Sequence, residues 1–264
     1  MTAHAARIPA GHYRFRHVTR MEWIKLRSLR STWWTLLITA AGAIAMAIVI
    51  GLNTTNGSED LTNNVLAGMV PGLLLTGVLG VLVMTSEYSS GMIRATLAAA
   101  PRRPLLLAAK AAVFGGVLAA GEAATFIAFF AGGAALRHGI PAPALSQPGV
   151  LRAVLLSGTS FCLIGLLGLG LEAIIRHSAA AIAVLVGGVY VGAQIIAAAA
   201  HSVLAYMPIL IIGNSLSTTK PQSCGGQVAQ CPHFLSPWAG IAVLCLYAAV
   251  ALAAGCWLLA RRDA

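Results

Sequence analysis

Seven carboxylates are all that the chain offers for acid–base chemistry: Glu22, Glu59, Asp60, Glu87, Glu122, Glu172 and Asp263. General acid–base catalysis needs paired carboxylates, or a carboxylate with a histidine, held at one reacting bond. Only Glu122 and Glu172 fall inside apolar runs, so membrane-embedded proteolysis or phosphoryl transfer lacks parts. No GxxxxGK[ST] loop is present to cradle phosphates, and neither HExxH nor GxSxG occurs. The chain is therefore expected to carry no catalytic site, no metal site and no cofactor of its own.

Composition says what kind of molecule holds these few groups. Of 264 residues, 58% are hydrophobic and 9% charged, with a mean hydropathy of +0.84. A soluble domain carries about 25% charged residues, so this chain cannot cover itself for water and reads as a membrane protein. Its net charge of +10 would suggest nucleic acid as a partner in a soluble chain. Here the basic residues flank apolar runs, which makes the bilayer the partner and excludes nucleic acid.

Six runs approach the ~20 residues that span hydrocarbon as a helix: 33–52, 65–84, 104–136, 150–175, 179–199 and 238–259. None shows the alternation of a barrel strand, so the fold class is all-α and polytopic. Residues 1–18 read as a disordered tail, 19–32 as an amphipathic interfacial helix and 33–264 as the transmembrane domain. Pro104 suits a helix's first turn, and Gly115-Gly116 marks a kink or a close contact in the long third run. Arg176-His177-Ser178 leaves room only for a tight hairpin between runs four and five. The apolar patch within 201–216 is too short to cross and contains Pro208, which suits a re-entrant or interfacial segment.

Polar residues inside the runs are the next candidates. Glu122 is a functional candidate because an intramembrane carboxylate is costly and normally faces protein or water. Its other readings are a pair with Arg152, or snorkelling toward the outer surface. Gln194 suits a helix–helix hydrogen bond, and Glu172 an i,i+4 pair with Arg176. Gly68-x-x-x-Gly72 and Gly188-x-x-x-Gly192 are small-residue patterns that let helices approach. Cys224 and Cys231 share one loop with a Gly225-Gly226 turn and are expected as a disulfide on an oxidising exterior. Cys162, Cys245 and Cys256 read as packing residues.

Lys and Arg orient the chain. Fourteen of the seventeen lie on one side: seven before residue 31, then Arg94, Arg102, Arg103, Lys110, Arg176, Arg261 and Arg262. Arg137, Arg152 and Lys220 lie on the other. Both termini and the 86–104 stretch are expected in the cytoplasm, in a cell (inner) membrane. Thr19-Arg20-Met21-Glu22 reads as a capping box that starts the surface helix, with Val18 and Trp23 as its hydrophobic staple. That helix places Arg20, Trp23, Arg27 and Arg30 on one arc.

The stretch 86–104, SEYSSGMIRATLAAAPRRP, interrupts the apolar pattern. It reads as a short amphipathic helix capped by Thr85 or Ser86 and stopped at Pro101. Tyr88, Met92, Ile93 and Leu97 share one half of its wheel, and Glu87, Ser90, Gly91 and Arg94 the other.

With MEWIKLRS in the surface helix, E-Y-S-S-G-M-I-R-A-T-L-A-A-A-P-R-R-P after the second span, Lys110 beyond it and a short basic tail, the chain resembles the membrane subunit of a type-2, exporter-like ATP-binding-cassette transporter. The resemblance implies that 86–101 is a coupling helix docking on a separate cytoplasmic ATPase dimer, through Glu87, Ser90, Gly91, Arg94 and Arg102. It also implies a second permease chain, most simply a homodimer, with ATP and Mg bound by the partner ATPase. The pathway would lie near the first, second and fifth spans. Its cargo would be an amphipathic or hydrophobic molecule. A self-sufficient channel or a proton-coupled carrier using Glu122 is the alternative.

Overall fold

Backbone polar groups in hydrocarbon are satisfied only in helices or closed barrels, and every regular element in the computed structural model is helical among the described residues. These are residues 15–55, 60–89, 103–136, 139–192, 205–218 and 235–261, with 195 and 203. Ten α-helices run in chain order: α1 (Phe15–Ser28), α2 (Arg30–Asn53), α3 (Leu61–Ala67), α4 (Val70–Ser89), α5 (Arg103–Ala120), α6 (Glu122–Ala134), α7 (Val150–Ile175), α8 (Ser178–Val186), α9 (Pro208–Leu216) and α10 (Pro237–Arg261). A π-helical turn, Gly187–Val191, extends α8.

Four helical stretches are long and apolar enough to cross a membrane: Arg30–Asn53, Pro104–Ala134, Val150–Ile175 and Pro237–Arg261. The pair α3 and α4, bent by 41°, makes a fifth if counted as one span. The fifth expected run appears only as the shorter helix Ser178–Val191, and its second half lies outside the described residues.

Helix α7 is the hub, packed against α4, α5, α6, α8, α9 and α10. Its apolar window is 61% buried within the protein, against 17% for α2. Leu37, Ile38, Val49 and Leu52 of α2 point outward, as side chains facing lipid would. Trp238 and Trp257 are both exposed on α10. They are nineteen residues apart, about 28 Å of helical rise, which matches two aromatic belts across a ~30 Å core.

The closest seam joins α4 to α7. A Cβ on Gly80 would overlap the Gly165 carbonyl, and one on Gly168 would overlap the Gly77 carbonyl. Two glycine pairs, three residues apart on each helix, thus bring backbone onto backbone. The expected glycine patterns behave differently. Gly68 does abut the α2 backbone near Ala47, and Gly72 meets Phe161, whereas a Cβ on Gly188 would meet nothing within 4 Å. On α7 a second close approach, Gly170 to Ala251, seats α10, with Gly255 of α10 against Ala173.

Four local expectations are corrected here. Helix α1 begins at Phe15 rather than Thr19 because Val18, 1% exposed, packs on Leu106 and Ala109 of α5. Thr19 is then interior to the helix, its hydroxyl donating to the Arg16 carbonyl, so the capping box does not form. Thr85 and Ser86 do not cap a new helix either. Their hydroxyls donate to the carbonyls of Val81 and Val83, and α4 continues to Ser89. Finally, the third run is interrupted at Gly121 rather than kinked at Gly115-Gly116; of that pair, Gly115 makes a helix contact, its carbonyl accepting from Cys162 Sγ at 3.6 Å.

Two expectations hold as geometry. The α7–α8 hairpin turns on Arg176, in the left-handed conformation with φ 58°. His177 caps α8 by accepting from the Ala180 N–H at 3.3 Å. The short apolar patch is α9, with Pro208 in its first turn and Ile211, Ile212 and Leu216 buried against the bundle. Asp60 ties this end together. It caps α3 at the Asn63 N–H (3.1 Å) and accepts from the backbone and hydroxyl of Thr218, after α9, at 2.6 and 2.8 Å.

Candidate functional site

Where small residues do not meet a neighbouring backbone, the bundle is hollow. A groove of about 560 Å³ runs between α1 and α2 on one side and α4, α5, α6 and α7 on the other. Its lining extends from Trp33 to Ala43 on α2 and from Ala112 to Thr125 on α5 and α6, about 15–20 Å of helical rise. Exposed Trp33 and Leu37 of α2 and exposed Ala112, Gly116 and Ala120 of α5 border its open side. A Cβ on Gly116 would meet nothing within 4 Å. Among the described residues, this glycine faces space, not a helix.

Among the described residues, Glu122 is the single ionisable one in the lining. It sits in the first turn of α6, just past the Gly121 break. Its side chain lies over Gly158 of α7, where a Cβ would come within 2.6 Å of its Cγ. The absent side chain at 158 is what gives the carboxylate a seat. Glu122 Oε1 is shielded and has no hydrogen-bond partner among the described residues. The hydroxyls of Thr39 and Thr76, also in the lining, are engaged within their own helices. Thr39 donates to the Thr35 carbonyl at 2.8 Å and Thr76 to that of Gly72 at 2.7 Å. An unpartnered carboxylate in so apolar a setting is costly, and a cation or a donor from outside the chain would relieve it.

The expected Arg152 partner goes elsewhere: its Nη2 donates to the Ser217 carbonyl at 2.6 Å. Glu172 is 1% exposed, placed beside Thr85 of α4 and near His177. Its tie to Arg176 is the backbone bond from the Arg176 N–H to its own carbonyl, 2.8 Å.

A second polar cluster is a buried ion pair. Lys110 Nζ of α5 lies 2.7 Å from Glu22 Oε2 of α1, with side chains 6% and 4% exposed. Lys25 joins at 3.2 Å to Glu22 Oε1. Glu22 therefore reaches across 88 residues of sequence instead of folding back to cap its own helix. Sequence reasoning missed this pair, although a signal was present. Lys110 lies within an apolar run and needs a counter-charge, and Glu22 is the one acidic residue of the basic segment before α2.

The remaining expected site residues fall largely outside the described set. Ser90, Gly91, Arg94 and Arg102 do, as do Gln194, Cys224 and Cys231, and Glu87 is described only as a backbone position on α4. Among the described residues no group of three or more His, Cys, Asp or Glu is arranged to hold a metal. Compared with protein-family models and with curated proteins, the chain matches none.

Proposed function

We propose that the chain is the membrane subunit of a type-2 ATP-binding-cassette transporter, working as a dimer of permease chains with a separate ATPase that binds ATP and Mg. It exports an amphipathic or hydrophobic molecule by alternating access from a cell (inner) membrane, with both termini cytoplasmic. The observation that carries this reading is how firmly the helices on either side of residues 90–102 are held. The segment leaves from α4, whose backbone is pressed against α7. It re-enters at α5, which the buried Glu22–Lys110 pair holds to α1 only a few residues along. A push on the segment therefore reaches two stiffly held helices. Packed helices respond to such a push by moving between discrete arrangements. The groove lies between these helices and α2, where such a movement would alter its access.

Purification of the tagged chain from its own membranes tests the reading. The expected result is a stoichiometric ATPase bearing a Walker A loop, with transport absent when the chain is reconstituted alone. A chain that purifies alone and transports alone would overturn the reading. The unpartnered Glu122 oxygen favours that second case, a proton-coupled carrier, which a pH-gradient-driven flux in the same vesicles would reveal.

A further inference from the structure

Apolar walls, one carboxylate and an opening along the helices together define a ligand class. We infer that the groove binds a lipophilic ammonium ion, with the cationic head at Glu122 and the apolar body along α2 and α5. This deepens the transport reading, on which its meaning as a cargo site rests.

Three observations carry it. The first is size: about 560 Å³ falls within the ~300–1,000 Å³ of drug-sized sites. The second is charge. Among the described residues, Glu122 is the only ionisable one in the lining, its Oε1 lacks a hydrogen-bond partner, and Arg152 is engaged with Ser217. A protonated amine in the groove supplies the counter-charge that this carboxylate lacks, and N–H donors to the part of it that lines the groove. An anion would be repelled, and a neutral apolar molecule would leave the carboxylate unsatisfied. The third is access. The groove opens between exposed side chains of α2 and α5, two helices long and apolar enough to lie in hydrocarbon, so an amphiphile already dissolved in the bilayer reaches it sideways. Trp23 and Trp33 lie in the lining and extend its apolar wall.

The test uses the full chain in lipid nanodiscs without ATPase. The probes are a dansyl-labelled alkyl primary amine and its N-acetylated counterpart, nearly equal in size but differing in charge. Dansyl fluorescence reports entry into the groove. The amine is expected to bind at least about tenfold more tightly than the acetylated probe, as expected for a charge-assisted contact. Glu122→Gln should bring the two probes within about twofold of each other by weakening the amine alone. Gly116→Phe fills the open groove where a Cβ meets nothing and should abolish binding of both probes. That variant also keeps the test decisive if Glu122→Gln does not fold.

Equal binding of the two probes to the unmodified chain would mean acyl-chain occupancy only, and would overturn the inference. So would an amine preference that survives Glu122→Gln, or amine binding that survives Gly116→Phe. No ATPase takes part, so failure here leaves the coupling reading standing. Failure of coupling likewise leaves the binding result standing.

Discussion

The seam between α4 and α7 and the groove between α2 and α5 are built from the same residue types, yet one is solid and the other hollow. In the seam, Gly77 and Gly80 face Gly165 and Gly168; the missing Cβ of Gly80 and of Gly168 is replaced by a carbonyl of the other helix, and that of Gly77 and of Gly165 by the side chains of Leu185 and Leu118. In the groove, Ala112, Gly116 and Ala120 are equally small, but no backbone comes to meet them. Small residues therefore have two opposite consequences. Facing small residues on a neighbour, they let helices close on one another. Facing the exposed edge of α2, they leave room for a ligand. Glu122 stands where the two regimes join, seated over Gly158 of the hub helix and lining the hollow.

The largest effect is expected at the seam. Gly80→Leu places a side chain where only the Gly165 carbonyl fits, and backbone cannot yield as a side-chain tip does. The penalty should exceed the roughly 1–3 kcal/mol of ordinary overpacking. Thermal unfolding of purified protein in detergent would show it, as loss of a folded species. Gly80→Leu protein as stable as the unmodified chain would break the comparison.

Next is the pair that fixes α1 to α5 beside the groove. Lys110→Met leaves Glu22 buried without its nearest counter-charge and should cost about 3–5 kcal/mol. The double change Glu22→Met with Lys110→Met should recover most of that loss, because no charge then remains buried. Chemical denaturation of the single and double variants checks this, and a double variant less stable than either single one would contradict it. Asp60→Ala should cost less, about 1–2 kcal/mol, through lost bonds to Asn63 and Thr218.

The smallest effect should have the opposite sign. Gly116→Ala adds a methyl in open space on a helix and should stabilise by about 0.5–1 kcal/mol. The same assay on Gly80→Ala should show destabilisation, so the pair sharpens the contrast to a single methyl group at two glycines.

Much of this frame was legible in the sequence, because hydropathy reports what a residue prefers to touch regardless of its neighbours. Four of the apolar runs, the tight turn at Arg176–Ser178 and the short patch at Pro208 appeared where expected, while the second run is a bent pair of helices and the fifth is seen only as Ser178–Val191. What hydropathy does not contain is which faces meet. The Gly188 pattern resembles a contact but meets none among the described residues, while the Gly80–Gly165 contact arises from the pairing of two distant helices. Thr19 and Glu22 have the spacing of a capping box, yet a buried lysine 88 residues away from Glu22 outcompetes a surface cap. Glu122 stood out as an acid in an apolar run. Its seat on Gly158 and its groove depend on α7, which local sequence does not place.

The central functional claim is that force enters the bundle through residues 86–102. Its most direct measurement is substrate-stimulated ATP hydrolysis and transport in vesicles holding the chain with the proposed ATPase. Reversing two charges together, Glu87→Arg with Arg94→Glu, is predicted to abolish transport and to leave hydrolysis unresponsive to substrate, while the chain stays folded and inserted. Full coupling retained in that double variant would contradict the account.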